Sequence, residues 1–300
     1  MKQNPFSLYD VLGYIIPGIF VFITIEITFF FKFETVTNCD IKNIYIDEFP
    51  RLINRIDSIG VNSIILLLIS SYIVGHLFSY GSSITIEKYL NWNYGYPSKY
   101  LLNIQDSMEC SKDCSCSKKR KCSANKYFRK DDKLHIRIWK ILLFILLLPT
   151  TLLDIILNFC GLRDFYAKPL DSTLISIIKT KTNILLKKLG EKEDDNQNSD
   201  FFRLIQHYTF ENCKQHHSKF TNYVALYGFL RTITLIFNLL TWYFLIHTLG
   251  FSKFCTYKYF VLFALIISSY IFFMSFIKFY RRYTLEGLMV LAVDTELSDE

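Results

Sequence analysis

The sequence predicts an all-α integral membrane protein with four transmembrane helices in two pairs, and three observations point to it. Four long apolar stretches, Val11 to Phe31, Val61 to Tyr80, Thr232 to Leu249 and Tyr259 to Ile277, lie two at each end of the chain. Each is near the roughly 20 residues a helix needs to cross about 30 Å of hydrocarbon. A polar, lysine-rich middle separates the pairs. The composition, 51% hydrophobic with 28 Phe and 20 Tyr at a mean hydropathy of +0.22, belongs to the membrane class rather than to an ordinary soluble domain.

The first stretch ends in Phe29, Phe30, Phe31 and Lys32. It is too long and too bulky at its end for a cleaved leader, so it reads as a retained span. Pro17-Gly18 inside it predicts a kink that neighbouring helices can accommodate. Along the second span Ser71, Gly75, Ser79 and Ser83 recur every four residues. Small side chains at that spacing let helix backbones approach closely, either within the chain or across a subunit boundary, and the former is the commoner outcome.

Orientation follows from Lys and Arg. With the amino terminus and the middle in the cytoplasm, 28 of the 34 basic residues lie inside, and Lys32, Lys42, Arg51, Arg55, Lys253 and Lys258 lie outside. The excess narrows when only positions near span ends are counted, as the positive-inside rule requires. A fifth apolar stretch, Ile141 to Phe159, is long enough to cross, and the excess disappears if it does. Pro149 at its centre, with Asp154 and Asn158 on the second arm, favours a hairpin that dips in and returns, or a buried cytoplasmic helix, over a true span.

Four regions follow: a first helix pair with its outer loop over 1–80, a cytoplasmic region over 81–231, a second helix pair over 232–277, and a cytoplasmic tail helix over 278–300. The middle region opens with Tyr89, Trp92, Tyr94 and Tyr96, aromatics suited to headgroup depth. After the hairpin, over 138–162, Asp171-Ser172 predicts a helix capped there and stopped by Gly190. Leu174, Ile175, Ile178, Leu185 and Leu189 line one side of it and lysines the other, which suits an anionic leaflet as well as an ordinary packed helix. The acidic stretch over 191–200 should be a solvated linker, because it has no apolar residue to bury. A further helix is expected from Ser199 or Asp200 to about Lys219, and the tail should continue the fourth span as a surface helix.

Candidate chemistry is sparse. Cys110, Cys114, Cys116 and Cys122 crowd thirteen residues beside Lys118, Lys119, Arg120 and Lys121. Thiolates so placed can hold zinc, but the spacing departs from paired CxxC knuckles; a cysteine-rich loop without a ligand, or disulfides if the topology is inverted and the loop lies outside, stand beside that reading. Cys213, His216 and His217 offer further ligands or simply a polar helix face. Within the spans Glu26, His76, Asn238 and His247 are costly in hydrocarbon, so they either line a pore or proton path or fix packing by hydrogen bonds. Arg129 and His135 match only a loose nuclease spacing, and no phosphate loop, dinucleotide fingerprint, GxSxG elbow or HExxH helix is present. An enzyme is not supported.

The opening PFSLYDVLGYIIPG, Pro5 to Gly18, resembles a loose set of uncharacterised bacterial multi-pass membrane proteins that begin with an LYDxLGYxxPG-like stretch. The resemblance implies a bacterial multi-pass membrane protein of phage-defence and mobile-element settings, while the Lys and Arg distribution leads to the expectation of an inner-membrane protein with both termini cytoplasmic. It carries over no catalytic residues. The expected function is a non-enzymatic membrane effector or channel-like component, with the lipid bilayer, further copies of the chain and a soluble cytoplasmic protein as partners. The alternative is a scaffold that recruits a soluble partner or, less favoured, nucleic acid through the basic loop. A membrane enzyme on lipid or RNA is the weaker third.

Overall fold

The computed structural model describes residues 8–30, 60–104, 133–161, 167–190, 200–250, 256–295 and 297, and every regular element among them is helical. Among the described residues three helices are long and apolar enough to cross a membrane: Val61–Leu101, Lys214–Ile246 and Lys258–Val293. A bent pair, Leu134–Leu146 and Leu148–Phe159, adds a fourth if it forms one span. The first predicted stretch forms a shorter apolar helix, Val11–Glu26.

Two compact units share these elements. The first consists of the described parts of Met1–Glu87, Leu143–Ile155 and Ala225–Phe276. It opens with α1 (Leu8–Asp10), a π-helical turn (Val11–Ile15) and α2 (Ile16–Phe30). The expected kink at Pro17-Gly18 is displaced. Pro17 has no amide proton for the carbonyl four residues back, and the irregular turn lies just ahead of it while α2 runs on through Gly18.

Next, α3 (Val61–Ser82) and a second π-turn (Ser83–Glu87) lie against the first helices. A Cβ on Gly18 would fall 1.8 Å from the Ser71 carbonyl oxygen, and one on Gly75 would fall 1.9 Å from that of Tyr14. The partner's number falls as the other rises, so the pair is antiparallel. Val21, Ile233 and Ile236 form an apolar cluster with Phe20, Val74, Phe78, Phe237 and Phe272 around them. It joins α2 and α3 to α10 (His217–Gly250) and α11 (Thr256–Val293). All of 61–69 is exposed, a mostly apolar surface that burial inside the unit does not explain.

Between these elements lie α6 (Leu134–Leu146) and α7 (Leu148–Phe159), with α4 (Lys88–Asn93) and α5 (Pro97–Leu101) preceding them. The expected hairpin is a single right-angle bend, 90° at Leu147. Pro149 sits in the first turn of α7, where its missing amide costs least, and the proline prevents α6 from continuing. Leu143–Ile155 belongs to the same unit as the apolar helices and not to the middle region.

The second unit contains the described parts of Lys88–Leu142, Ile156–Val224 and Ile277–Glu300. Its core is Leu101, Leu102, Ile178, Leu185, Ile205, Leu288, Leu291 and Leu297. Ile178 and Leu185 come from α8 (Ser172–Lys188), which ends ahead of Gly190 at φ +87°. Ile178 and Leu185 of its predicted apolar face are buried against protein, Leu174 and Ile175 are half-buried, and Leu189 is exposed; Asp171 at its start makes no side-chain cap bond. The expected helix from 200 to 219 is two pieces: α9 (Phe202–Asn212), whose Phe202 amide donates to Asp200 Oδ1 at 3.1 Å, then a 3₁₀ turn (Lys214–His216) into α10. The tail is likewise corrected. It continues α11 from the fourth apolar stretch, but Leu288 and Leu291 are fully buried core residues rather than the inner face of a surface helix.

Candidate functional site

The most concentrated polar arrangement among the apolar helices centres on Asn238. Its Nδ2 lies 2.8 Å from each of Thr150 Oγ1, Ser269 Oγ and the Thr234 carbonyl, so two N–H donors are shared among three acceptors. The Thr150 hydroxyl lies 3.1 Å from Asn238 Oδ1 and 2.6 Å from Ser269 Oγ. All three side chains are essentially inaccessible. The cluster thus links α7, α10 and α11, and it satisfies groups that would be expensive to bury unpaired.

Two features extend it. Trp242, one turn beyond Asn238, donates its indole N–H to the Leu146 carbonyl at 2.8 Å, pairing one of the carbonyls that the break before α7 frees. Asp154 is fully buried and lies four residues along α7 from Thr150, hence on the same helix face. An ionisable carboxyl therefore accompanies a neutral hydroxyl and amide cluster. The sequence marked Asn238 and Asp154 separately, and it held no signal for Thr150 or Ser269, because single hydroxyl residues in apolar helices commonly bond their own backbone.

A second cluster lies where α3 passes into its π-turn. Arg231 Nη1 pairs with the Glu87 carboxylate, its Nε donates to Ser82 Oγ at 3.1 Å, and its Nη2 donates to the Ser79 carbonyl at 3.3 Å. The Ser83 hydroxyl donates to Glu87 Oε2 at 3.4 Å. The small-residue stripe is thereby divided. Ser71 and Gly75 face the first helix, whereas Ser79 and Ser83 serve this charged pair.

The remaining candidates are scattered. Glu26 is exposed on α2 and forms no ion pair with His76. His76 is exposed too, with its ring stacked on Tyr14 at 3.6 Å and edge-on to Tyr72 at 4.5 Å. The side chain of His247 lies outside the described residues, as do Cys110, Cys114, Cys116, Cys122, Lys118, Lys119, Arg120, Lys121 and Arg129. His216 Nδ1 meets Glu286 Oε1 at 3.1 Å, but His217 turns away to stack on Phe210 at 4.1 Å. His135 is exposed. Among the described residues no group of three His, Cys, Asp or Glu side chains is placed to hold a metal ion. Comparison with protein-family models, with curated proteins and with solved structures finds no match to this chain.

Proposed function

We propose that this chain is a channel-like, non-enzymatic effector of a bacterial inner membrane, in which the Asn238 cluster and Asp154 line the conducting or gating region. In this reading α2, α3, α10 and α11 are the four spans, both termini are cytoplasmic, and the bent pair α6–α7 dips into the bilayer from the cytoplasmic side. Further copies of the chain complete the path, and the setting is anti-phage defence, as the resemblance of the opening stretch implies.

One observation carries it: Asp154 is fully buried on the same face of α7 as Thr150, whose hydroxyl joins Asn238 and Ser269 in a closed network. A carboxyl inside apolar helices is costly and is ordinarily kept for ion or proton movement. The network supplies polar groups at the same place and a closed state that water does not enter. α10 and α11 also contribute residues to both units, so a signal received by the second unit has a covalent route to the cluster.

The test is ion flux from vesicles loaded with a potassium- or proton-sensitive dye and reconstituted with the full chain. Wild type should raise flux above protein-free vesicles, and Asp154→Asn should lower it while helicity and insertion are unchanged. Flux equal to that of empty vesicles at both signs of membrane potential, or identical flux in wild type and Asp154→Asn, removes the reading.

A further inference from the structure

We propose that the face of α11 just past its apolar stretch, Lys278, Arg281 and Arg282 with Lys168 beside them, binds the phosphodiester headgroup of an anionic phospholipid. The site requires that α11 cross a bilayer; it does not require that the chain conduct ions. Positions 278, 281 and 282 are spaced i, i+3 and i+4, so the three cations share one helix face. They follow Ile277, where the apolar stretch ends, within about 8 Å of helix rise. A helix that crosses a membrane by the stretch Tyr259 to Ile277 therefore holds them at headgroup depth.

Lys168 is brought to this face by the backbone. Arg281 Nη2 donates to the Lys168 carbonyl at 3.3 Å, and the segment is fixed by a 3.0 Å bond from the Leu170 amide to the carbonyl of Leu101, a core residue. All of these residues belong to the second unit. Lys168, Lys278 and Arg282 are exposed, and the Arg282 guanidinium carbon lies 5.9 Å from the centre of the Phe279 ring.

The cluster is short of an anion. Among the described residues no carboxylate pairs with any of the four cations. Glu286 is the only acidic residue of α11 and stands one turn beyond Arg282, but it meets His216 at 3.1 Å and Lys219 at 3.4 Å instead. Arg281 Nε is buried without an acceptor, and the acceptor that its Nη2 finds is a neutral carbonyl. A guanidinium fork matches the paired oxygens of a phosphate. Turning the Arg281 side chain outward thus exchanges one neutral bond for two charge-assisted ones and gives Nε an acceptor. A free phosphate would meet these cations from one side only. A lipid phosphodiester is held at their depth by its own acyl chains, so an open, one-sided cluster suffices to select it. A zwitterionic headgroup brings its own ammonium and answers the cluster less well.

The experiment gives the full chain, in detergent micelles, an equimolar mixture of phosphatidylglycerol and phosphatidylcholine and counts the bound lipids by native mass spectrometry. Wild type should retain phosphatidylglycerol in more than about tenfold excess, and each cation removed should lower the excess about fivefold. Arg281→Gln tests the fork. The double variant Lys278→Gln with Arg282→Gln changes only exposed side chains, so it reads the site even if Arg281→Gln disturbs the fold, and it should bring the two lipids close to parity. Arg281→Lys keeps the charge without the fork and should fall between wild type and Arg281→Gln. Lys179→Gln removes the same charge from an exposed position of α8 and should leave the excess unchanged. Equal retention of the two lipids by wild type overturns the proposal, and so does an excess that Lys179→Gln lowers as far as Arg281→Gln does. Phosphatidylglycerol stripped by inorganic phosphate or by polyuridylate RNA at the lipid's own concentration also overturns it, by moving the ligand to a soluble ion or a nucleic acid. No step reads ion flux, so a chain that does not conduct is told apart from one that does not select lipid, and a chain monodisperse after detergent removal fails earlier, at the crossing of α11.

Discussion

Gly18 and Gly75 are the residues at which a single atom decides most. Each sits where a Cβ would fall under 2 Å from a carbonyl of the opposite helix, and a rigid backbone cannot yield as a side-chain tip does. Gly18→Ala should therefore separate the antiparallel pair and cost about 1–3 kcal/mol, the usual range for overpacking. Gly228→Ala is the control, because nothing lies within 4 Å of its Cβ. Denaturant titration in detergent, followed by circular dichroism, should show Gly18→Ala less stable and Gly228→Ala close to wild type; equal midpoints would mean that the close approach is absent. Half of this contact was legible. Ser71 and Gly75 announce themselves by their spacing, whereas Gly18 read as a partner in a proline kink because closeness to another helix leaves no local trace. Asn238 was legible for a different reason: an amide is expensive in an apolar stretch wherever its partners are. Those partners, Thr150 and Ser269, are 88 and 31 residues away, beyond the reach of any periodicity.

At the scale of the element, position along the chain could be read, but the surface each helix covers could not. Seven residues separate Ile178 from Leu185, and Gly190 follows, so α8 is visible as an amphipathic helix with a stop. Whether its apolar face meets lipid or protein depends on Leu288 and Leu291, more than a hundred residues later. The end of α11 was misread for the same reason, since basic residues at Lys278, Arg281 and Arg282 followed by Leu285 and Leu288 fit a surface helix equally well. The two descriptions separate by energy. Leu291→Ala in a surface helix should cost no more than about 0.5 kcal/mol. From the observed core it should cost about 2–5 kcal/mol, because Leu291 is fully buried in one cluster with Leu101, Ile178 and Ile205 and its loss leaves a cavity there. Thermal unfolding of the full chain in detergent measures it, and a midpoint within a degree of wild type would return the tail to the surface. Pro149 shows the same limit. It forecast a break near its own position, yet the right angle and its tether from Trp242 to Leu146 are set by a distant helix.

At the scale of the whole molecule, class was the most legible property, because apolar length needs no partner to be recognised. Three helices pass that test on their own, and the mostly apolar exposed surface along 61–69 belongs in a solvent other than water. Sidedness is a separate matter, since it rests on charge counts that depend on whether the bent pair α6–α7 crosses. Single cysteines at Asp47, Ser123 and Asn196, placed one at a time in a chain whose eight native cysteines are replaced, settle it with a membrane-impermeant maleimide on intact cells. If the positive-inside assignment holds, Asp47→Cys reacts in intact cells, and Ser123→Cys and Asn196→Cys react only after the membrane is permeabilised. A bent pair that crosses would separate the last two, since Ser123 precedes it and Asn196 follows it, and would bring Asn196→Cys to the outside with Asp47→Cys. Ser123→Cys labelled outside while Asp47→Cys is protected would turn the chain over. In the proposed function Asp154 and the Asn238 cluster would then have to be approached from the opposite face, and the proposed signal route through α10 and α11 would begin outside the cell.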